Sequence, residues 1–451
     1  MSAWQHRIGT VCILMLLVVI AMVGCSHDDS PHSGRVVIQY WEKWGGFERA
    51  AMQAVVDDFN ASQDRIFVDF LQISQIDRKL MLATAGGNPP DVAGIWSWAT
   101  PVFAENNALL PMDKMVAEAG IKRSDYIDIF WRLCSHRGHL WGLPSCPASI
   151  ALHWNKKLFR EAGLDPERPP RTMAEFEEFN EKLTKRNPDG TIAVLGHHPE
   201  EPGWWAACWG YWFGAEMWDG ESRITANCPG NLAAMKWMES YPKRFGVANL
   251  LSFKDGFGNF ASPQNTFFTG RIAMVLQGVW MFNFIEKYAP KDFEWGVAPF
   301  PTVDPATHKN VTISECDLLV IPASAKHPRE AFEFIHYVNT QKPMEKLCLG
   351  HRKFSPFRVC SPDFIRNHPN PYIQTFLELA ESPNATSPPQ LTTWTEYRRD
   401  MANAIGRVMT LKATPTEALA QVQERQQQIF DRKNARWKRV EVQRMAEWGG
   451  Q

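Results

Sequence analysis

This chain lacks an excess of either charge: 48 Lys and Arg stand against 49 Asp and Glu, a formal charge of −1. Without a basic field nothing holds a phosphate backbone or an anionic lipid surface, so no nucleic-acid partner is expected. Signatures of catalysis are missing as well. There is no Gly-x-Ser-x-Gly, no His-Glu-x-x-His, no phosphate-cradling glycine loop and no catalytic Cys/His signature, so no catalytic residue is assigned. There is no Cys-x-x-Cys and no paired His spacing, which argues against zinc, and neither metal nor cofactor is expected. His197-His198 with Glu200 and Glu201 is the only metal-like cluster. Adjacent histidines point apart on helix and strand alike, so it reads as a solvated loop. After the N-terminus no apolar run reaches the roughly 20 residues of a spanning helix, and no internal repeat or low-complexity tract occurs.

What is present begins with the N-terminus. Arg7 precedes an apolar run from Val11 to Gly24 with no acidic residue before it, the pattern of a secretory signal and not of a retained helix. Met22-Val23-Gly24-Cys25 resembles a bacterial lipobox. That resemblance implies a signal peptide over 1–24 and lipidation of Cys25, which would anchor the protein outside the cytoplasm on the bacterial membrane. The alternative is an ordinary secretory signal with a chance thiol. Residues 25–34 are polar and turn-rich, as a tether should be. Loss of Arg7 with the signal takes the formal charge from −1 to −2.

The remaining body exceeds the roughly 250–300 residues that one hydrophobic core supports, so two domains are expected. Seven cysteines lie in it: Cys134, Cys146, Cys208, Cys228, Cys316, Cys348 and Cys360. Export permits local bridges between Cys134 and Cys146 and between Cys348 and Cys360. Buried free thiols are the alternative, and the odd count leaves at least one thiol outside any internal pair.

Strand and helix signals alternate. Arg35 to Trp41 reads as a strand, and Phe47, Ala51, Val55 and Phe59 recur every four residues as one helical face. Ile66 to Ile73 is a second strand, Lys79 onward a helix, and Asp91 to Ile95 a third strand, which implies a parallel sheet with crossover helices. Ligands bind beyond the carboxyl ends of such strands, so the loops that matter are Trp41 to Gly46 and Trp96 to Thr100. Asp91 is expected to fix its loop and not to touch a ligand. Asn155 to Gly163 looks like a short helix closed by glycine. Thr172 with Glu175, and Thr414 with Glu417 around Pro415, form capping boxes. His327 to Val338 is one more amphipathic helix.

Nineteen tryptophans exceed what packing requires, and several fall in loops: Trp41 and Trp44, Trp96 and Trp98, Trp204 and Trp205, Trp280, and Trp394. A sugar offers hydroxyls at its rim and an apolar C–H face, for which polar side chains and flat aromatic rings are the matching chemistry.

An ordered series of motifs spreads over nearly the whole body: Tyr40-Trp-Glu-Lys-Trp-Gly-Gly46, Val-Asp-Asp-Phe-Asn60, Gly87-Asn-Pro-Pro-Asp-Val92, Leu140-Trp-Gly-Leu-Pro144, His153 to Gly163, Pro170-Arg-Thr-Met-Ala-Glu-Phe176, Phe268-Thr-Gly-Arg-Ile-Ala-Met274 and Gln277-Gly-Val-Trp280. In this order they resemble the extracellular sugar-binding proteins of ABC importers, the group that includes maltose-binding protein. The resemblance implies an α/β, two-lobed periplasmic-binding-protein-like fold of type II, each lobe a mainly parallel sheet flanked by helices. It places 35–146 plus 301–355 in lobe one and 147–300 plus 356–451 in lobe two, with crossings near Pro144 to Ser149, Pro299 to Thr302 and Ser355 to Arg358. It implies that Glu42, Lys43, Trp44, Trp96, Trp98, Trp280 and Trp394 meet the solute, and Trp205 joins them as a loop aromatic.

Where many relatives have a glycine pair, this chain has Ser314-Glu-Cys-Asp317. Glu315 and Asp317 are therefore candidates to receive hydroxyls or a cationic group, or else to pair with structural arginines. The expected partners are a small-molecule carbohydrate and the permease subunits of an ABC transporter, with membrane contact only through the anchor and the protein itself a monomer. An exported carbohydrate-active enzyme using two carboxylates, or a solute sensor on the same fold, is the alternative.

Overall fold

The computed structural model describes residues 34–201 and 205–449; the apolar leader, Cys25 and Trp204 lie outside them. Val36–Glu42 forms β1, whose alternating Ile38, Tyr40 and Glu42 are buried. It pairs in parallel with β2, Ile66–Gln72, and with β3, Val92–Trp96. Helix α1, Gly46–Ser62, joins β1 to β2 and helix α2, Ile76–Ala85, joins β2 to β3, as the strand and helix periods predict.

The inward face of α1 differs from expectation. Met52, Val55, Val56 and Phe59 are buried, whereas Phe47 is 38% exposed. A strict spacing of four drifts around a helix of 3.6 residues per turn, so Phe47 and Phe59 cannot share one face.

The main sheet has eight strands. The others are β4 (Leu143–Asn155), β5 (Met274–Gly278), β6 (Trp295–Ala298), β7 (Thr312–Val320) and β8 (Ala385–Thr386). The path runs β6-β4-β7-β3-β1-β2, with β5 on β4 and β8 on β7. The expected parallel order holds for β2-β1-β3, while β7 lies antiparallel to β3 and β4, and β4 lies antiparallel to β5 and β6.

Two hydrophobic cores flank this sheet, and β4 passes between them: Leu143, Cys146 and Ala148 belong to the first, Ile150, Leu152 and Trp154 to the second. The second crossing falls within β7, whose Ile313 is in the second core and whose Leu318 to Val320 are in the first; Phe300 and Val311 have not yet left the second core.

The third crossing is later than Ser355 to Arg358. Phe364, Ile373, Phe376, Leu379 and Ala380 still fill the first core, and Leu391 is the next buried residue of the second. The apolar stripe of Ile373–Glu381 holds the chain to the first core.

A further passage was not legible. After α3 (Met173–Leu183) and α4 (Trp394–Met409), the last helix α5 runs over Pro415–Gly449. It starts in the second core with Ala418, Leu419, Val422 and Phe430 and ends in the first with Trp437 and Trp448. Its start is the predicted capping box, with Glu417 N donating to Thr414 Oγ1 at 3.3 Å and Thr414 N donating to Glu417 Oε2 at 3.0 Å. At α3 the forward bond from Glu175 N to Thr172 Oγ1 is 3.1 Å, but the Glu175 carboxylate caps Arg171 N instead.

The seven described cysteines are free thiols. Their neighbours in space are not their neighbours in sequence: the Cys146 thiol lies beside Cys348, and Cys316 beside Cys134. The predicted solvated loop at His197-His198 is buried. His197 Nδ1 bonds Met274 O at 3.0 Å and its ring packs among Phe176, Trp209 and Trp237, and aromatic packing of this kind excludes water. No three His, Cys, Asp or Glu among the described residues are grouped to hold a metal ion.

Candidate functional site

A cleft of about 610 Å³ opens where β1 and β3 end and where β4 and β7 pass between the cores. Trp44 belongs to the first core, Trp205 and Trp394 to the second, and Trp98 and Trp280 pack against both; Lys43, Trp96, Arg398 and, from the crossing strands, Ala148, Glu315, Cys316 and Asp317 also line the cleft. Nine of the ten solute-contact residues expected from sequence are thus brought to one cavity.

Glu42 is the exception. It is wholly buried beneath the cleft, accepting from Tyr40 Oη at 2.7 Å, from Lys43 N at 2.7 Å and from Lys43 Nζ at 3.1 Å. Alternation along β1 turns position 42 to the same inner side as Ile38 and Tyr40, so its carboxylate supports the lining and does not form it.

Lys43 Nζ also meets Asp317 Oδ1 at 2.9 Å and lies 5.1 Å from the ring centres of both Trp44 and Trp96. Trp44 Nε1 donates to Asp317 Oδ2 at 3.1 Å. Burial alone would depress the Lys43 ammonium, but Asp317 and Glu42 outweigh it and hold the pKa above its ordinary value. Burial raises the Glu42 carboxyl despite Lys43. Each charge in this buried set has a partner, the condition under which such groups are tolerated.

The aromatic lining is built by short turns. β3 ends at Trp96, and the single turn Ser97–Ala99 brings Trp98 parallel to it, 5.7 Å apart at 13°. Trp280 follows β5, and the ring closes over Gly278, where any Cβ would lie 2.3 Å from it. Trp205 meets Trp280 at 6.1 Å. Trp98 and Trp280 pack against both cores. Trp394 is only 3% exposed, most of its ring being spent on the second core beside Tyr397. Asp91 fixes its loop, accepting from Gln39 N at 3.0 Å and His327 N at 2.9 Å.

Three charged side chains of the lining were not expected from the sequence. Lys353 and Glu48 pair at 3.6 Å across the cleft wall, and nothing local links residues so far apart in the chain. Arg398 was accessible to reasoning: it follows Trp394 by four residues on α4, so both share one helical face, and its guanidinium lies 5.9 Å from the Trp98 ring centre.

Comparison with known proteins gives the same picture. The model of the family described as bacterial extracellular solute-binding protein matches residues 46–345. The chain is 22% identical over 416 residues to the sn-glycerol-3-phosphate-binding periplasmic protein of Pectobacterium atrosepticum, covering 86% of this chain and 90% of that one. It is 23% identical over 318 residues to the maltotriose-binding protein of Pyrococcus abyssi, covering 70% and 64%. Among solved structures, CpMnBP1 with mannobiose bound superposes with a TM-score of 0.74 at 25% identity, covering 86% of this chain and 99% of that one. The sugar-binding protein MalE of Xanthomonas citri, at 21% identity and a TM-score of 0.73 over 89% and 99%, shares the fold. With two cores, a cleft between them and a family match across both, this chain belongs to the bacterial extracellular solute-binding proteins.

Proposed function

We propose that the protein captures a carbohydrate or sugar-like solute between two lobes and delivers it to the permease of an ABC importer. The observation that carries this reading is the set of indoles around one cleft: Trp44 from the first core, Trp205 and Trp394 from the second, Trp98 and Trp280 packed against both, and Trp96 beside Trp98. Flat rings suit the C–H faces of a sugar, and the carboxylates, lysines and arginine at the rim suit its hydroxyls. Two relatives, a maltotriose-binding protein and CpMnBP1 with mannobiose bound, support the class of ligand.

Lobe one would comprise the chain to about Ala148, the stretch from Cys316 to Ala380 and the end of α5; lobe two would hold the rest. Closing on the solute is the output, because contacts to both lobes favour the closed form only when the solute is present. The family consists of binding proteins, and no turnover is expected. Anchoring through a lipidated Cys25 and a monomeric state complete the proposal.

Titration calorimetry with maltotriose, mannobiose and sn-glycerol 3-phosphate, followed by tryptophan fluorescence, tests it. Stoichiometric binding with a fluorescence change and an unconsumed ligand is the expected result. Hydrolysis of the sugar would favour the enzyme, and failure of all three to bind would remove the carbohydrate class.

A further inference from the structure

Strand β7 turns two carboxylates into the cleft, and their surroundings differ. Asp317 is fully engaged by Lys43 Nζ and Trp44 Nε1. Glu315 lines the same cavity, yet among the described residues its carboxylate accepts no hydrogen bond and closes no ion pair. Across from it stands Arg398, close enough to act on its charge. The Arg398 side chain likewise makes no ion pair or hydrogen bond among the described residues, and it lies over the Trp98 ring. The other cations of the lining are committed, Lys43 to Glu42 and Asp317, and Lys353 to Glu48. Among its charged groups the cleft therefore presents one uncommitted carboxylate and one uncommitted guanidinium.

We propose that Glu315 sets the charge preference of the cleft: it accepts a hydroxyl from a neutral solute whose adjacent oxygen is held by Arg398, and it repels any solute that brings a carboxylate or phosphate to that arginine. The inference rests on the carbohydrate reading above and adds to it a choice between neutral and acidic sugars. A neutral diol satisfies both groups at once, donating to the carboxylate and accepting from the guanidinium. An anion satisfies only Arg398 and leaves two like charges within a poorly solvated space, where a pair some ångströms apart changes affinity by about tenfold or more.

The charges that face Glu315 are few. Asp317 lies on its own strand, Arg398 on α4, and the Cys208 thiol on Ala206–Phe213, with Lys43 beyond Asp317. Burial, then Asp317, push the Glu315 carboxyl up to about 7 against the pull of Arg398. Discrimination against anions should accordingly be strong above that pH and relax below it, as the carboxyl takes up a proton.

The test compares mannobiose with the corresponding mannuronate disaccharide, whose carboxylates stay ionised between pH 6 and 8, by titration calorimetry on the wild type, Glu315→Gln and the double variant Glu315→Gln/Arg398→Gln. The wild type is expected to prefer mannobiose, more so at pH 8 than at pH 6. Glu315→Gln, which keeps the volume and whose melting curve checks its folding, is expected to lose at least about tenfold for mannobiose and gain about tenfold for the uronate. The second substitution should abolish the gain. An unchanged ratio in Glu315→Gln, or a gain that survives loss of Arg398, overturns the charge preference and leaves the carbohydrate reading intact. Binding of neither sugar to any form overturns both.

Discussion

The carboxylate of Glu42 occupies the space that a side chain at position 94 would need: a Cβ on Gly94 would lie 1.7 Å from Glu42 Oε2. β3 thus approaches β1 closely enough to seal Glu42 beneath Lys43, and the cleft lining depends on a residue that never reaches the cleft. Gly94→Ala is expected to expel Glu42 or shift β3. Overpacking costs about 1–3 kcal/mol, and Lys43 would lose one of its two carboxylate partners and keep Asp317. Urea unfolding and solute titration together check it; wild-type values for both would contradict the packing described.

Trp280 meets both cores and closes over Gly278. Trp280→Ala should weaken solute binding by about 2–4 kcal/mol, the scale of a central aromatic anchor. Gly278→Ala should reproduce part of that loss by tilting the ring. Calorimetry on both variants decides it, and unchanged affinity in Trp280→Ala removes the residue from the binding surface.

His153 sits wholly buried on β4, stacked on Trp295 at 5.5 Å and 8°, with burial pushing its imidazole down to about 3. Its unfolded value is near 6.5. Between these values the unfolded chain binds a proton that the native state does not, so this group's contribution is complete above about pH 6.5 and is lost as pH falls toward 3. At about 1.4 kcal/mol per unit the loss reaches about 2 kcal/mol by pH 5. His153→Phe should therefore gain about that much relative to wild type at pH 5 compared with pH 7. Chemical denaturation at the two pH values measures the double difference, and a value near zero would show that the imidazole is protonated in the fold.

The end of α5 is held by Trp448, whose ring meets Trp141 at 4.7 Å and Trp437 at 5.4 Å, and whose Nε1 donates to Asn107 Oδ1 at 3.2 Å. Trp448→Ala should destabilise by about 3 kcal/mol or more. Val442, 84% exposed on the same helix, provides the control, since Val442→Ala should stay within about 0.5 kcal/mol. Equal melting temperatures for the two variants would show that the contact contributes nothing.

Local chemistry was legible in the sequence and distant partnership was not. The first three strands of the main sheet, the caps at Thr172 and Thr414, and the loop tryptophans announce themselves through alternation, capping residues and ring type. The places where the chain changes core were displaced, because whether Phe364 to Ala380 joins one core or the other depends on which apolar face it meets, and both cores accept the same residues. The thiol neighbours followed the same rule: Cys146 sits by Cys348 and Cys316 by Cys134 because β4, β7 and two helices meet there, which spacing along the chain does not record. Glu42 was misjudged for a smaller reason, since a strand's last residue faces inward or outward according to the register that precedes it.

The helix that begins in one core and ends in the other has a mechanical consequence. A rod seated at both ends fixes the separation of its two sockets while permitting rotation about its own long axis. With Phe430 held in the second core and Trp448 in the first, any relative motion of the two cores must turn about this helix, bend it or release one of its ends.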